Sequence, residues 1–349
     1  MKNNELEHFP LRIMTLEEYK EIIKNPDAYE IVKRYIRHSN VLTWLIAENG
    51  TGLAVSHNGI GLTTSHNILS TTGKIADFED TNYVRPVLVS AAPSFKVGQM
   101  FTFGVDTNHL PIRWAAVTER MLVMFDGPSD FTYEPIVYAD KTIGWESYKD
   151  SKVCAFLESV FLTSSFTEEE ITAIHKGDFV NFLKPYEGVI EVGPSVNEIP
   201  SLRYCMDETV GTLKILSRKS RLKIGPRSFS HSSLSSAKGL DNIEWIGDEA
   251  FFMARLKGQL NLGNILRIDQ KAFGFNAIRS LCFEGTIDCI GEQAFFMNDI
   301  KNVKCTELIG SINSQAFCRN PISKKAQTNI VDAVFEQYAD DIFDTLSEK

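Results

Sequence analysis

The chain has 349 residues, 43% hydrophobic and 23% charged, with a formal net charge of −9. That length leaves room for two domains, and the balance is that of an ordinary soluble globular chain, against bulk disorder. Scattered acids argue against a dedicated nucleic-acid binder, and no apolar run approaches membrane length.

In chain order, Thr15-Leu-Glu-Glu18 reads as a capping box opening a helix to about Lys24, closed by Asn25-Pro26. A second helical pattern follows from Tyr29 to about Arg37. From Trp44 the texture changes, with Gly50, Gly52, Gly59, Gly61 and Gly73 punctuating a stretch rich in Asn, Ser, Thr and His. Such turn-dense sequence predicts a loop-and-hairpin surface. Its polar residues Asn49, Thr51, His57, Asn58, Thr63, His66 and Asn67 are candidate ligand contacts, because clustered Asn, Ser, Thr and Gly give adaptable hydrogen bonding. A merely solvated loop has the same composition. His57 and His66 have no third ligand at a recognisable spacing, so no metal is expected.

Strands are expected at Tyr83–Val89, Phe95–Phe103, Ile112–Val117 and Met121–Phe125. Val153, Phe156, Leu157, Val160 and Phe161 sit at helical spacing over about 150–161, and Thr167-Glu-Glu-Glu170 is a second capping box, opening a helix to about His175. Gly188, Gly193-Pro194 and Pro200 mark residues 179–201 as a linker, and the basic group Arg218, Lys219, Arg221 and Lys223 follows.

The second half repeats itself. Ile224-Gly-Pro-Arg-Ser-Phe229, Ile246-Gly-Asp-Glu-Ala-Phe251, Ile268-Asp-Gln-Lys-Ala-Phe273, Ile290-Gly-Glu-Gln-Ala-Phe295 and Ile312-Asn-Ser-Gln-Ala-Phe317 start 22 residues apart, which signals a solenoid. Apolar residues recur at +10 (Leu234, Leu256, Ile278, Ile300), at +13/+15 (Leu281 and Phe283, Val303 and Cys305) and at +19 (Ile243, Ile265, Ile287, Ile309). The alternation at +13/+15 predicts one short strand per unit, followed by a tight turn and an Ala-Phe coil. Asn276, Asn298 and Asn320 at +8 are expected to satisfy backbone groups of that turn. Ser280, Asn302 and Lys304, which do not repeat, are the solenoid residues open to a binding role.

These blocks resemble the BspA-like branch of the leucine-rich repeats, whose opening I-G-x-x-A-F is followed by an Asn or small residue and L-x-x-V-x-I. The resemblance implies a binding surface. Trp145-Glu146, Ser151–Leu157, Phe161 and Ser165–Glu170, with Ile112–Val117, resemble a bacterial and phage domain family of C-type-lectin-like and formylglycine-enzyme-like character. That family's other motif resembles Trp44-Leu-Ile, Ala54-Val55, Asn58-Gly59 and Val84-Arg-Pro-Val-Leu88, here placed first instead of last, with Ala47-Glu-Asn-Gly50 in place of R-S-P-G. The resemblance implies ligand contacts from the loops between these motifs.

The fold expected is therefore an α+β ligand-binding domain over 1–178, a linker over 179–201, a leucine-rich-repeat solenoid over 202–323 and an amphipathic C-terminal helix over 324–349. That helix carries Ile330, Val334, Phe335, Tyr338, Ile342 and Leu346 on one side and caps the solenoid or docks a partner. No G-x-S-x-G, P-loop, dinucleotide fingerprint or C-x-x-C occurs, so neither an enzyme nor a cofactor is expected, and the six cysteines read as small buried hydrophobes. The function expected is non-enzymatic recognition, of bacterial or phage origin, engaging a protein or glycan through the N-domain loops and the repeat face, with no nucleic-acid or membrane partner. The alternative is an intracellular inhibitor or regulator docking on a host enzyme or defence complex. Met1–His8 lack an apolar core, giving the expectation of a cytoplasmic protein or a phage particle assembled there.

Overall fold

The computed structural model of the protein describes residues 9–33, 42–46, 52–56, 67–69, 86–126, 149, 152–338 and 343, with the backbone alone in 16, 23, 32–33, 42–46, 52–56, 67–69, 152–153 and 335–338. The chain divides into two compact units, 1–107 with 111–187 and 108–110 with 188–349.

In the first unit, strand β1 (Leu11–Ile13) leads into helices α1 (Leu16–Lys24) and α2 (Pro26–Lys33). The capping box forms: Thr15 Oγ1 accepts from Glu18 N at 3.1 Å and Glu18 Oε2 accepts from Thr15 N at 2.9 Å. Arg12 grips the same carboxylate through two bonds of 2.8 and 2.6 Å. Burial pushes the Glu18 pKa up, but Arg12 and the Thr15 groups outweigh it, leaving the carboxyl below its ordinary value.

Strands β2 (Leu42–Ile46), β3 (Gly52–Ser56) and β4 (Asn67–Leu69) form a separate antiparallel sheet. Then come β5 (Pro86–Val89), β6 (Met100–Val105), β7 (Pro111–Ala116) and β8 (Met121–Met124). A helical run follows: α3 (Lys152–Phe156), a π-helical turn (Leu157–Phe161) and α4 (Leu162–Ser165). Helix α5 (Glu168–Lys176) has its own capping box on Thr167 and ends on left-handed Gly177, and β9 (Lys184–Pro185) closes the unit. The main sheet runs β1-β5-β8-β7-β6-β9, antiparallel throughout.

Strand β7 shows why this sheet is covered on both faces. Ile112, Trp114 and Ala116 join the core beneath the 152–176 helices, while Ala115 and Val117 join the one beneath α1 and α2. Between the apolar residues Arg113 is 2% exposed, so its charge needs a partner. Its guanidinium meets Asp126 at 2.6 Å and lies against the Phe125 and Tyr186 rings at 5.1 and 5.3 Å.

The second unit is a solenoid with two strands in each coil. One column stacks β10 (Val189–Val192), β12 (Thr212–Ile215), β14 (Ser236–Lys238), β16 (Lys257–Leu262), β18 (Ala277–Phe283) and β20 (Asn302–Cys305) as parallel strands in two three-stranded sheets. The other column is one parallel sheet of β11 (Glu198–Ile199), β13 (Leu222–Ile224), β15 (Ile243–Ile246), β17 (Ile265–Ile268), β19 (Ile287–Ile290) and β21 (Ile309–Ile312). The expectation of one strand per unit is thus corrected, because the recurrent Ile at +19 and the opening Ile of the next block are the two ends of a second strand. Both ends point inward although a regular strand would turn them to opposite faces. The ladder achieves this by pairing Ile243, Trp245 and Ile246 with Ile265, Arg267 and Ile268, passing over Glu244.

The two strand columns begin, with β10 and β11, in the stretch expected to be a linker, and the first coil opens at its end. It opens at Ile199, and Tyr204 stacks on Phe229 at 5.1 Å. From there Phe229, Phe251, Phe273, Phe295 and Phe317 stack at 5.0 to 5.2 Å with interplanar angles of 0 to 6°. The asparagines do what their position predicts. Asn298 Nδ2 lies 2.9 and 3.0 Å from the Phe273 and Phe295 carbonyls, while Oδ1 accepts from Ile278 N at 3.2 Å. Asn276 and Asn320 repeat the pattern one coil earlier and one later. Where Ala254 breaks the series, the Ser232 hydroxyl of the preceding coil donates to Phe229 O at 2.7 Å instead.

At the C-terminal end helix α6 (Lys324–Ala333), capped by Ser323, buries Ala326, Ile330 and Ala333. The expectation of helix onward through Leu346 is corrected at Val334, where the chain becomes strand β22 (Val334–Tyr338), parallel to β21. Val-Phe-Glu-Gln-Tyr suits a strand, and the edge of β21 offers it backbone partners that a longer helix would leave unused. Residues 339–342 and 344–349 lie outside the described part.

Candidate functional site

The site that stands out among the described residues is the column of Ala-Phe turns. Within each turn, the third, fifth and seventh residues after the opening Ile donate their N–H to the next coil. Glu249 N reaches Gln270 O, Phe251 N reaches Ala272 O and Met253 N reaches Gly274 O at 2.7 to 3.0 Å, and the following coils do likewise. The turns therefore form a hydrogen-bonded ladder of their own beside the two strand columns.

This geometry holds the seventh residue in the left-handed region in every coil: Met206, His231, Met253, Phe275, Met297 and Arg319 have φ between 50 and 60°. Left-handed backbone costs a residue with a Cβ about 1 kcal/mol and favours glycine. The chain nevertheless places Met and Phe there and exposes them, at 43% for Met253, 38% for Phe275 and 41% for Met297. Phe252 and Phe296, one residue earlier, are half-buried alongside. The rings interlock edge to face along the column, Phe252 with Phe275 at 5.1 Å and Phe275 with Phe296 at 5.5 Å, with His231 tilted on Phe252 at 5.6 Å. The result is an apolar ridge across consecutive coils, rich in adaptable Met and rigid Phe.

The solenoid residues singled out from sequence sit on the neighbouring strand column. Ser280 pairs with Asn302, and Cys282 with Lys304, in the register of β18 and β20. Asn302 and Lys304 are exposed and Ser280 is half-buried. They extend a polar face that includes Gln259, whose amide donates to Asn261 Oδ1 at 2.7 Å, and Asn261, whose own amide donates to Glu284 at 3.2 Å. Of the N-terminal candidates, Asn67 lies on β4 opposite Ser56, and nothing is described of its side chain. Asn49, Thr51, His57, Asn58, Thr63 and His66 lie outside the described residues.

The ridge was missed in the sequence because its identities vary from coil to coil. One signal was available: Ala-Phe-Phe-Met occurs at 250–253 and again at 294–297, two periods apart. The first Phe of each pair is buried in the ladder, which leaves the second to the outside.

A cleft of about 800 Å³ lies in the first unit, lined by residues including Arg12, Glu18, Ser90, Arg120 and His175. Several of its polar groups already have partners: Arg12 bonds Glu18, Arg120 Nε donates to Ser90 O at 2.9 Å, and His175 meets Glu158, outside the lining, at 3.1 Å. Among the described residues no three His, Cys, Asp or Glu side chains are grouped to hold a metal ion, and no helix is long and apolar enough to cross a membrane. The cysteines described are free, and Cys305 has its pKa pushed up to about 11 by burial, with the neighbouring Cys282 adding to the effect.

Residues 203–338 match the family described as BspA type leucine rich repeat region, in six copies. No curated protein and no solved structure matches the chain.

Proposed function

We propose that the protein is a non-enzymatic recognition protein whose leucine-rich solenoid engages a protein partner. The observation that carries this reading is the exposed Phe/Met ridge, an apolar stripe across consecutive coils that lies outside the buried core. Repeat arrays bury their core between neighbouring coils and leave extended outer faces for binding. The polar face with Ser280, Asn302 and Lys304 adjoins the ridge along each coil and supplies hydrogen-bonding groups at its border.

A photo-crosslinking residue placed singly at Phe275, Asn302 or, as a control on the first unit, Glu169 tests this in cell lysate. Protein adducts are expected at Phe275 and Asn302 and not at Glu169. Equal labelling at all three positions, or none at the first two, refutes the reading.

A further inference from the structure

The ridge has a charged border on each side, and the two borders differ. Over the three coils opening at Ile246, Ile268 and Ile290, the ninth and eleventh residues include Arg255, Lys257, Arg279 and Lys301, all exposed. Asp299 is the one carboxylate among residues six to eleven of these coils. Lys257, Arg279 and Lys301 occupy the same position in consecutive coils, and among the described residues none of the four cations has an ion-pair partner. On the other border the carboxylates are already engaged: Glu249 with Arg227 at 2.8 Å, Glu292 with the Gln270 amide at 3.4 Å, and Asp248 with Gln270 N at 3.1 Å. In a chain of net charge −9, this is a local row of unpaired positive charge beside an apolar stripe.

The spacing selects the shape of what fits. Coils repeat every 5.0 to 5.2 Å along the phenylalanine ladder. An α-helix laid along the ridge offers a side chain on one face every turn, about 5.4 Å, so it drifts by only about 1 Å over four coils. An extended strand repeats its face every two residues, about 6.7 Å, and loses register within two or three coils. The eleventh-residue row lies at most about 14 Å of chain beyond the ridge, a gap that a helix flank about 5 Å from its axis closes together with the long Lys and Arg side chains that face it.

Resting on the protein-binding reading above, we propose that the ridge is the docking site of an amphipathic α-helix from a partner protein. The helix lays an apolar stripe on Phe252, Met253, Phe275, Phe296 and Met297 and presents a row of Asp or Glu to Lys257, Arg279 and Lys301. The apolar contacts supply affinity, and the unpaired cations set which flank of the helix faces them.

The test uses the full chain and three synthetic peptides of about 18 residues, long enough to be helical and to span the ridge. All carry the same Leu stripe; one has Glu on the flanks, one has Lys, and one is the Glu peptide with a central proline. Fluorescence anisotropy is expected to show the Glu peptide binding at least about tenfold tighter than either of the others, weakening with added salt. The exposed triple variant K257E/R279E/K301E is expected to reverse the order of the Glu and Lys peptides, and F275S/M297S to weaken both, with circular dichroism confirming that each variant is folded. Equal affinity for the three peptides, or an order unmoved by the charge reversal, overturns helix docking. A partner protein crosslinked at Asn302 whose capture is lost in N302A/K304A but kept in F275S/M297S also overturns it, while leaving protein recognition by the solenoid standing.

Discussion

Asn298 is the residue on which the hydrogen-bond ladder can be tested most sharply. It is 5% exposed, and its side chain gives two N–H donors to carbonyls of two coils and accepts the Ile278 N–H of the coil before. In Asn298→Ala the Phe273 and Phe295 carbonyls keep the Asn276 and Asn320 amides, so each loses about 0.5–1.5 kcal/mol. The Ile278 N–H is left buried without a partner, which costs about 1–3 kcal/mol more. The total expected is about 2–6 kcal/mol, read as the shift in urea midpoint of the solenoid transition. Asn298→Asp separates the terms, because it keeps the acceptor for Ile278 and replaces the donors by a carboxyl facing carbonyl oxygens. Its folded pKa lies above the unfolded value, so the sign is fixed: the variant is closest to the parent below about pH 4 and loses stability relative to it as pH rises. A loss below about 1 kcal/mol in Asn298→Ala, or a difference between Asn298→Asp and parent that is flat from pH 4 to 8, would show that the asparagine bonds do not hold the coils.

Phe273 lies at the centre of the aromatic stack, so Phe273→Ala is expected to cost about 3–5 kcal/mol, and amide exchange should show the loss concentrated in the coils on either side. Gly239 and Gly258 both have positive φ, but a Cβ at 239 would lie 2.1 Å from Ile215 O whereas one at 258 meets nothing within 4 Å. Gly239→Ala should therefore lower the thermal midpoint far more than Gly258→Ala, which is expected to cost about 1 kcal/mol. Because burial raises the Cys305 pKa to about 11, iodoacetamide should leave that thiol unlabelled in the native chain at pH 8, while the urea-unfolded chain labels readily. Cys305 also adds a stability contribution that is complete below about pH 9 and is lost as pH rises toward 11, since the unfolded thiol ionises first.

The solenoid was legible because each coil solves the same packing problem with the same residues, so Ile, Ala, Phe and Asn return at a fixed interval. What escaped were the places where the backbone departs from its regular period. The Ile-x-x-Ile strand reads as non-strand by a two-residue rule, and only the skipped ladder position shows how both ends face inward. The first coil was hidden because it opens 25 residues before the second, at Ile199, and uses Tyr204 where the others have Phe. The ridge depends on left-handed backbone at positions where no glycine announces it. In the first unit helices α1 and α5 declared themselves through their capping boxes, whose signals lie within four residues. The sheet order did not, since β1 pairs with β5, about 75 residues on, and nothing local encodes that choice.

The asparagine ladder has a direction, and the direction matters during synthesis. Each Asn side chain reaches back: Asn276 completes the backbone of the coil that contains Phe251, Asn298 that of the coil with Phe273, and Asn320 that of the coil with Phe295. A coil leaving the ribosome is thus unfinished until its successor arrives, and each successor latches the one already made. The last of these backward contacts are made after the repeats, by the Asn329 amide on Val303 O and the pairing of β22 with β21.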